Sequence, residues 1–267
     1  MKITLTNLHT YPIKSLQGIE LDTATVESRG LELDRRWMLT EPDGTFVTQR
    51  KYPQLALVRL QVTKDALVLN APGMDTLQVG LTENQGISSQ VKIWKDECAA
   101  LEVSKEANQW FSDYLSTPLQ LMYMPNDTNR LVDTAYNLNN HVTSFSDGYP
   151  FLLISEASLA DLNARLEQPV PMNRFRPNLV VSGTAAYAED AWKKIKVGEV
   201  VFHLVKPCAR CVFTTIDQAT GEKGQEPLKT LAKYRMEGTK ILFGQNLLQE
   251  TNGVIKTGDV VEVLEVN

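Results

Sequence analysis

Lys206-Pro-Cys-Ala-Arg-Cys-Val-Phe-Thr-Thr-Ile-Asp217 follows an apolar run, residues 200–205, that reads as a β-strand. Pro207 has no N–H to give a ladder, so pairing is expected to stop there and Cys208 and Cys211 to emerge at a strand end or loop. Lys206 and Arg210 flank the thiols. Neighbouring cations favour the thiolate, which is both the nucleophile and the metal-binding form. The same positive setting suits a bound anion such as a phosphate.

Four chemistries compete for this run. A structural zinc site takes about four ligands, yet the only other cysteine is Cys98, and His9, His141 and His203 show no paired spacing. A thioredoxin-like pair wants its second cysteine to open a helix. Here residues 212–216 are β-branched and read as strand. Two packed, inert cysteines are the plain structural reading. The fourth is a single soft thiolate ligand to a metal whose remaining ligands come from a cofactor.

Composition narrows the class. A chain of 267 residues, 43% hydrophobic, buries one large core or two modest ones. Its net charge of −5 argues against a nucleic-acid partner, which calls for a basic domain. Three cysteines build no disulfide framework, and no apolar stretch approaches the ~20 residues of a membrane span. The opening Met-Lys-Ile-Thr-Leu-Thr alternates like a strand rather than forming a signal peptide. A soluble, cytoplasmic protein without membrane or nucleic-acid partners is expected.

Working back from the cysteine run, the first ninety-odd residues read as short strands: 3–5, 21–26, 37–40, 55–62, 66–69 and 91–94. Glu-Pro-Asp-Gly44 makes a turn before Phe46 and Val47. Residues 104–115 change period, with Ala107, Trp110, Phe111 and Leu115 on one helical face. Residues 125–147 are polar and irregular and read as a long loop. Beyond Pro150, residues 151–154, 178–182, 195–205 and 258–264 read as strands. Ser155 caps a helix carrying Leu159, Leu162 and Leu166, and Glu226-Pro227 opens another. Trp37, Trp94, Trp110 and Trp192 are read as packing residues, with Trp37 near enough to the basic pair to line a pocket. The fold class is mainly β with some α.

Basic residues gather at turns: Lys14 beside Ser15, Arg35 and Arg36, Arg174 and Arg176, and Arg210 between the cysteines. A single surface Arg or Lys is ordinarily solvated. Converging, they hold one anion, because Arg offers a planar fork for phosphate and Lys a compact charge.

These segments together resemble the MOSC-domain family, and within it the molybdenum enzymes related to the amidoxime-reducing components. The motifs are Tyr11-Pro-Ile-Lys-Ser15, Asp34-Arg-Arg-Trp37, Phe175-Arg-Pro-Asn178, Tyr187-Ala-Glu-Asp190, Cys208-Ala-Arg-Cys211 and the stretch from Pro150 to Asn163, in family order. The resemblance implies an N-terminal β-barrel domain over residues 1–95, a helical and loop connection over 96–147, and a MOSC β-barrel with helices over 148–267. It implies molybdenum cofactor (Mo-molybdopterin), with Cys211 as metal ligand and catalytic centre and Cys208 and Arg210 beside it. Lys14, Ser15 and Arg35 match residues that hold the pterin's phosphate and ring, and Arg176 and Asn178 match further contacts. Asp147 opens another matching loop. Gly148 and Tyr149 follow it where the family pattern has Thr-Ser, so backbone N–H groups replace hydroxyls as the expected contacts.

The implied activity is detoxifying reduction of small N-hydroxylated compounds. Neither a ferredoxin-type domain nor a membrane anchor is recognised here. Electrons are therefore expected from a separate donor of ferredoxin or cytochrome-reductase type. The alternative is a carrier, in which Cys211 or Cys208 bears a persulfide or the chain stores and delivers cofactor.

Overall fold

The computed structural model describes residues 2–84, 86–136 and 140–267. Seven strands close into a barrel. In order around it run Phe151–Ser155, Leu179–Ser182, Ile3–Thr10, Val260–Val266, Trp192–Val197, Val200–Arg210 and Lys240–Gln249. The last pairs back onto the first, with Leu153 opposite Gln245. The opening strand of the chain thus lies between two late ones, pairing Leu5 with Val181 and Ile3 with Val261.

Alternation explains the barrel's filling. Along Trp192–Val197 every third or second residue is buried, and Ile195, Val197, Phe202, Leu247, Leu5 and Leu179 meet inside in one cluster. Successive strand side chains point to opposite faces, so one apolar set lines the interior.

A second apolar cluster lies under smaller sheets. Trp37–Thr40, Gln120–Tyr123, Asp96–Glu102 and Ser88–Ile93 form one, and Arg59–Val62, Ala66–Asn70 and Leu77–Gly80 another. The helix Lys105–Leu115 covers them through Ala107, Trp110 and Phe111. Its start is set by Ser104, whose hydroxyl accepts the Ala107 N–H at 3.1 Å. Ser155 caps Glu156–Asn163 in the same way, through the Ser158 N–H. Among the described residues no helix is long and apolar enough to cross a membrane.

Several sequence expectations are corrected. Pairing does not stop at Pro207. The strand runs from Val200 to Arg210, with Pro207 opposite Gln245 and register slips on both sides, between Leu204 and Lys206 and between Pro207 and Ala209. An irregular, bulged ladder tolerates a missing donor. The β-branched run after Cys211 is a 3₁₀ turn, Val212–Thr215, not a strand. Its threonine hydroxyls donate back to the Cys211 and Val212 carbonyls at 3.0 and 2.8 Å, and these local bonds override strand propensity.

Residues 195–205 are not one strand either. Gly198, at φ 56°, turns the chain so that Val197 faces Val200 across a hairpin. Residues 55–57 belong to a proline-led 3₁₀ turn, Pro53–Leu57, and only Arg59–Val62 is strand. Trp37 does not line a pocket; it is buried against Tyr123.

Candidate functional site

Loops from several strand ends converge on one cleft of about 300 Å³. Lys14 and Ser15 follow the first strand, and Arg35 precedes Trp37–Thr40. Asp147, Gly148 and Tyr149 lead into Phe151–Ser155, while Arg176 and Asn178 lead into Leu179–Ser182. Cys208, Arg210 and Cys211 come from the end of the long bulged strand. Every cofactor and metal residue implied by the family resemblance lines this cleft, but two of the basic residues read as converging do not: Arg36 is buried on the Met124 carbonyl, and Arg174 pairs with Asp217.

The deep wall is built on Asp34. Its carboxylate, fully buried, accepts the Tyr11 N–H at 2.9 Å, the Asn178 amide at 3.2 Å and an Arg35 guanidinium N–H at 2.5 Å. Asn178 in turn accepts from Arg35 at 3.1 Å. Arg35 and Arg176 both rest on the Tyr11 ring, 4.3 and 4.1 Å from its centroid. Arg176 also donates to the Leu16 carbonyl at 2.6 Å.

Burial pushes the Tyr11 phenol up to about 12, against the pull of both guanidiniums, so it stays a neutral donor to the Pro177 carbonyl at 2.9 Å. Desolvation lowers Arg176 to about 10, which still leaves it charged at neutral pH. Ser15, Arg35 and Arg176 all take left-handed φ, at 69°, 48° and 55°. Such strain gathers where a site demands it.

Elsewhere in the lining the Lys14 ammonium donates to the Phe145 carbonyl at 2.8 Å and to Asp147 at 2.6 Å. Arg130 secures this loop through the Ser144 and Ser146 carbonyls, both at 2.7 Å. Tyr149 has no hydrogen-bond partner for its buried hydroxyl among the described residues. Gly148 faces open space.

Cys211 is exposed at the cleft and Cys208 is half-buried. Arg210 joins them to the deep wall, donating to Cys208 Sγ at 2.9 Å and to the Phe175 carbonyl at 2.7 Å. Among the described residues no cluster of three or more His, Cys, Asp or Glu could cage a metal. A metal held at Cys211 would therefore draw its other ligands from elsewhere. His203 faces outward and pairs with Glu250 at 2.7 Å.

Of the lining cations, Lys206 was read from sequence as part of the positive setting around the thiols, and Arg50 was not singled out. The Lys206 ammonium lies over Tyr136 and Tyr149 at 4.5 and 5.6 Å. Arg50 carried no local signal at all. With them the described residues of the lining gather Lys14, Arg35, Arg50, Arg176, Lys206 and Arg210 against one carboxylate, Asp147, with Asp34 behind the wall pairing Arg35. In a chain of net charge −5 this is a focused positive field, and it suits one compact anion.

Residues 2–118 match the MOSC N-terminal beta barrel domain, and residues 140–262 match the MOSC domain. The chain belongs to the MOSC family. It is 35% identical over 287 residues to mitochondrial amidoxime reducing component 2 of Bos taurus, covering 97% of this chain and 82% of that one. To mitochondrial amidoxime-reducing component 1 of Homo sapiens it is 34% identical over 281 residues, covering 98% and 83%. To the molybdenum cofactor sulfurase of Oryza sativa subsp. japonica it is 34% identical over 263 residues, covering 91% of this chain but 32% of that protein. The cleft of this MOSC protein draws on both matched segments. Lys14, Ser15, Arg35 and Arg50 come from the first, and Asp147, Arg176, Asn178 and Cys211 from the second.

Proposed function

We propose that this MOSC protein is a molybdenum-cofactor oxidoreductase that reduces N-hydroxylated compounds, with electrons from a separate donor protein. The observation that carries the reading is the cleft itself, where six cations and one carboxylate surround an exposed thiol.

The lining fits a phosphorylated pterin. Its donors are overwhelmingly cationic, and two buried polar atoms at the cleft, Arg210 Nε and the Tyr149 hydroxyl, have no hydrogen-bond partner among the described residues. A buried donor left unmade is costly, so a polar ligand reaching them gains binding energy. Lys14, Arg35 and Arg176 would grip the phosphate and ring, and Cys211 would give its sulfur to the metal. When bound, the cofactor supplies the redox chemistry by which the N–O bond of the substrate is cleaved.

The chain's own residues then bind and orient. Arg35 and Arg176 are held in place by Tyr11, Asp34 and Asn178, so little reorganisation is needed when an anion arrives. Arg210 ties the cysteine segment to Phe175, fixing where Cys211 stands relative to those cations. The bulged strand end lets Cys211 project into the cleft rather than into the ladder.

The test is molybdenum and pterin content of protein made in a cofactor-competent host, followed by benzamidoxime reduction with a chemical reductant. One molybdenum per chain and turnover abolished by Cys211→Ser are expected. Turnover by Cys211→Ser at the wild-type rate, or protein that retains no molybdenum, overturns the reading.

A carrier role is the second reading. It is favoured by the second thiol, Cys208, held against Arg210 close to Cys211, and by the likeness to a protein named molybdenum cofactor sulfurase. A carrier gives cyanide-labile sulfur on a cysteine and no benzamidoxime turnover.

A further inference from the structure

Trp94 and Lys95 form the two-residue connection between the strands Ser88–Ile93 and Asp96–Glu102, where Ile93 faces Asp96. Trp94 takes φ 56°. A bulky side chain is disfavoured in that left-handed region, and short hairpin connections ordinarily put Gly, Asn or Asp there. Strain of this kind, where observed, points to a role for the residue that bears it.

The sequence reading took Trp94 as packing; the structure corrects this. It is 54% exposed, whereas Trp37, Trp110 and Trp192 are 1%, 8% and 6% exposed. Exposure does not mean freedom. The indole N–H donates to Asp147 Oδ1 at 3.1 Å, and the Arg50 guanidinium lies 4.2 Å from the ring centroid. Phe46 packs against the ring at 5.2 Å, tilted by 57°. Asp147 and Arg50 both line the cleft, so the hairpin fixes the indole at its edge. With Arg50 and Phe46 against the ring and the N–H spent on Asp147, 54% of the residue is still open to solvent.

We propose that Trp94, backed by Arg50, is a stacking platform for the planar ring of an aromatic N-hydroxylated substrate whose N–O end enters the cleft. The assignment rests on the reductase reading and adds a residue that selects among its substrates. An oriented, solvent-open indole binds any flat π-system that reaches it. A protein-docking face would need contiguous apolar surface. Here the neighbours along the hairpin, Lys92 and Lys95, are exposed and charged.

The exposed indole is its own reporter. Full-length protein is titrated with benzamidoxime and, separately, with acetamidoxime, and tryptophan emission is followed. Saturable quenching by benzamidoxime alone is expected, and its loss in Trp94→Gly. In turnover with a chemical reductant, the kcat/KM ratio of benzamidoxime to acetamidoxime is expected to fall about ten-fold in Trp94→Gly, through KM. Trp94→Tyr should restore most of that ratio. The Tm of Trp94→Gly should change little, because relief of the left-handed strain offsets the lost contacts to Asp147, Arg50 and Phe46. A purely structural Trp94 would instead lower Tm and weaken both substrates equally, which overturns the platform. Quenching without turnover keeps the platform and removes the reductase reading. Turnover with an unchanged ratio in Trp94→Gly does the reverse. Quenching by cytidine monophosphate and not by benzamidoxime overturns the assignment to substrate.

Discussion

Lys14 and Asp147 meet at 2.6 Å at the cleft, an ion pair with one member sealed and the other open. The lysine side chain is 7% exposed and the carboxylate 68%. Burial therefore bears mainly on the lysine, and lowers its pKa to about 8, with Asp147 pulling the other way and Arg130 and Arg35 adding to the fall. For Asp147, the desolvation that opposes its charge is outweighed by the Lys14 ammonium and the hydrogen bonds from Lys14 and Trp94, which hold it below the ordinary carboxylate range. Water around the carboxylate screens the pair, so it is better regarded as a tuned charge than as a stabilising bridge.

Anion binding should therefore be pH-dependent in an unusual range. Lys14 carries its charge below about 8 and loses it above. Sulfate keeps a constant charge there, so it reports the protein alone. Its affinity, measured by calorimetry, is expected to drop about ten-fold from about pH 7 to about pH 9, as the protonated fraction falls. Lys14→Met should bind sulfate more weakly and show a flat profile. A flat profile in the wild type would remove Lys14 from the anion site.

The same residue makes a prediction about stability. Between about 8 and its ordinary 10.5 the unfolded lysine holds a proton that the folded one has released. The unfolded state then binds more protons, so this residue makes stability rise with pH across that window. Tyr149 and Tyr187, whose pKa values burial raises, act in the opposite direction at the alkaline end. The difference between wild type and Lys14→Met isolates the lysine. Urea midpoints compared at about pH 8 and about pH 10 should show the variant's advantage shrinking as pH rises. A constant difference contradicts the lowered pKa.

What the sequence made legible was local. The change of period over residues 104–115, with Ala107, Trp110, Phe111 and Leu115 on one face, marked a helix, and Lys105–Leu115 is found with the first three buried and Leu115 half-buried. The cleft residues were legible through the MOSC motifs, because each motif fixes a loop at a strand end. Closure of the barrel was not, since Leu5 pairs with Val181 and Ile3 with Val261 across most of the chain. Pro207 misled because its neighbours' bulges, which make it tolerable, depend on the partner strand. Arg50 and Trp94 gave no signal for the same reason, as only the tertiary fold brings the residue 94 hairpin beside the residue 50 loop.

Gly244 tests the bulge. It sits opposite the slip between Pro207 and Ala209, at φ 82°. A Cβ there would come within 2.6 Å of Ile154 Cγ1 and 2.9 Å of the Leu153 carbonyl oxygen, on the strand that closes the barrel. Backbone strain and the clash with a paired strand add, so Gly244→Ala should cost about 2–4 kcal/mol. The urea midpoint should fall with an unchanged slope. A midpoint equal to wild type would mean that this segment accommodates a side chain and that the bulge is not fixed by glycine.

The three thiols differ in access, and that order is directly measurable. Cys211 is exposed, Cys208 is half-buried with Arg210 donating to its sulfur, and Cys98 is buried in a core cluster. Burial also raises the Cys98 pKa, so little thiolate forms there. Iodoacetamide followed by peptide mass spectrometry should label Cys211 first, Cys208 more slowly, and Cys98 only on unfolding. Equal rates for Cys208 and Cys211 in the wild type would contradict the difference in burial between the two thiols.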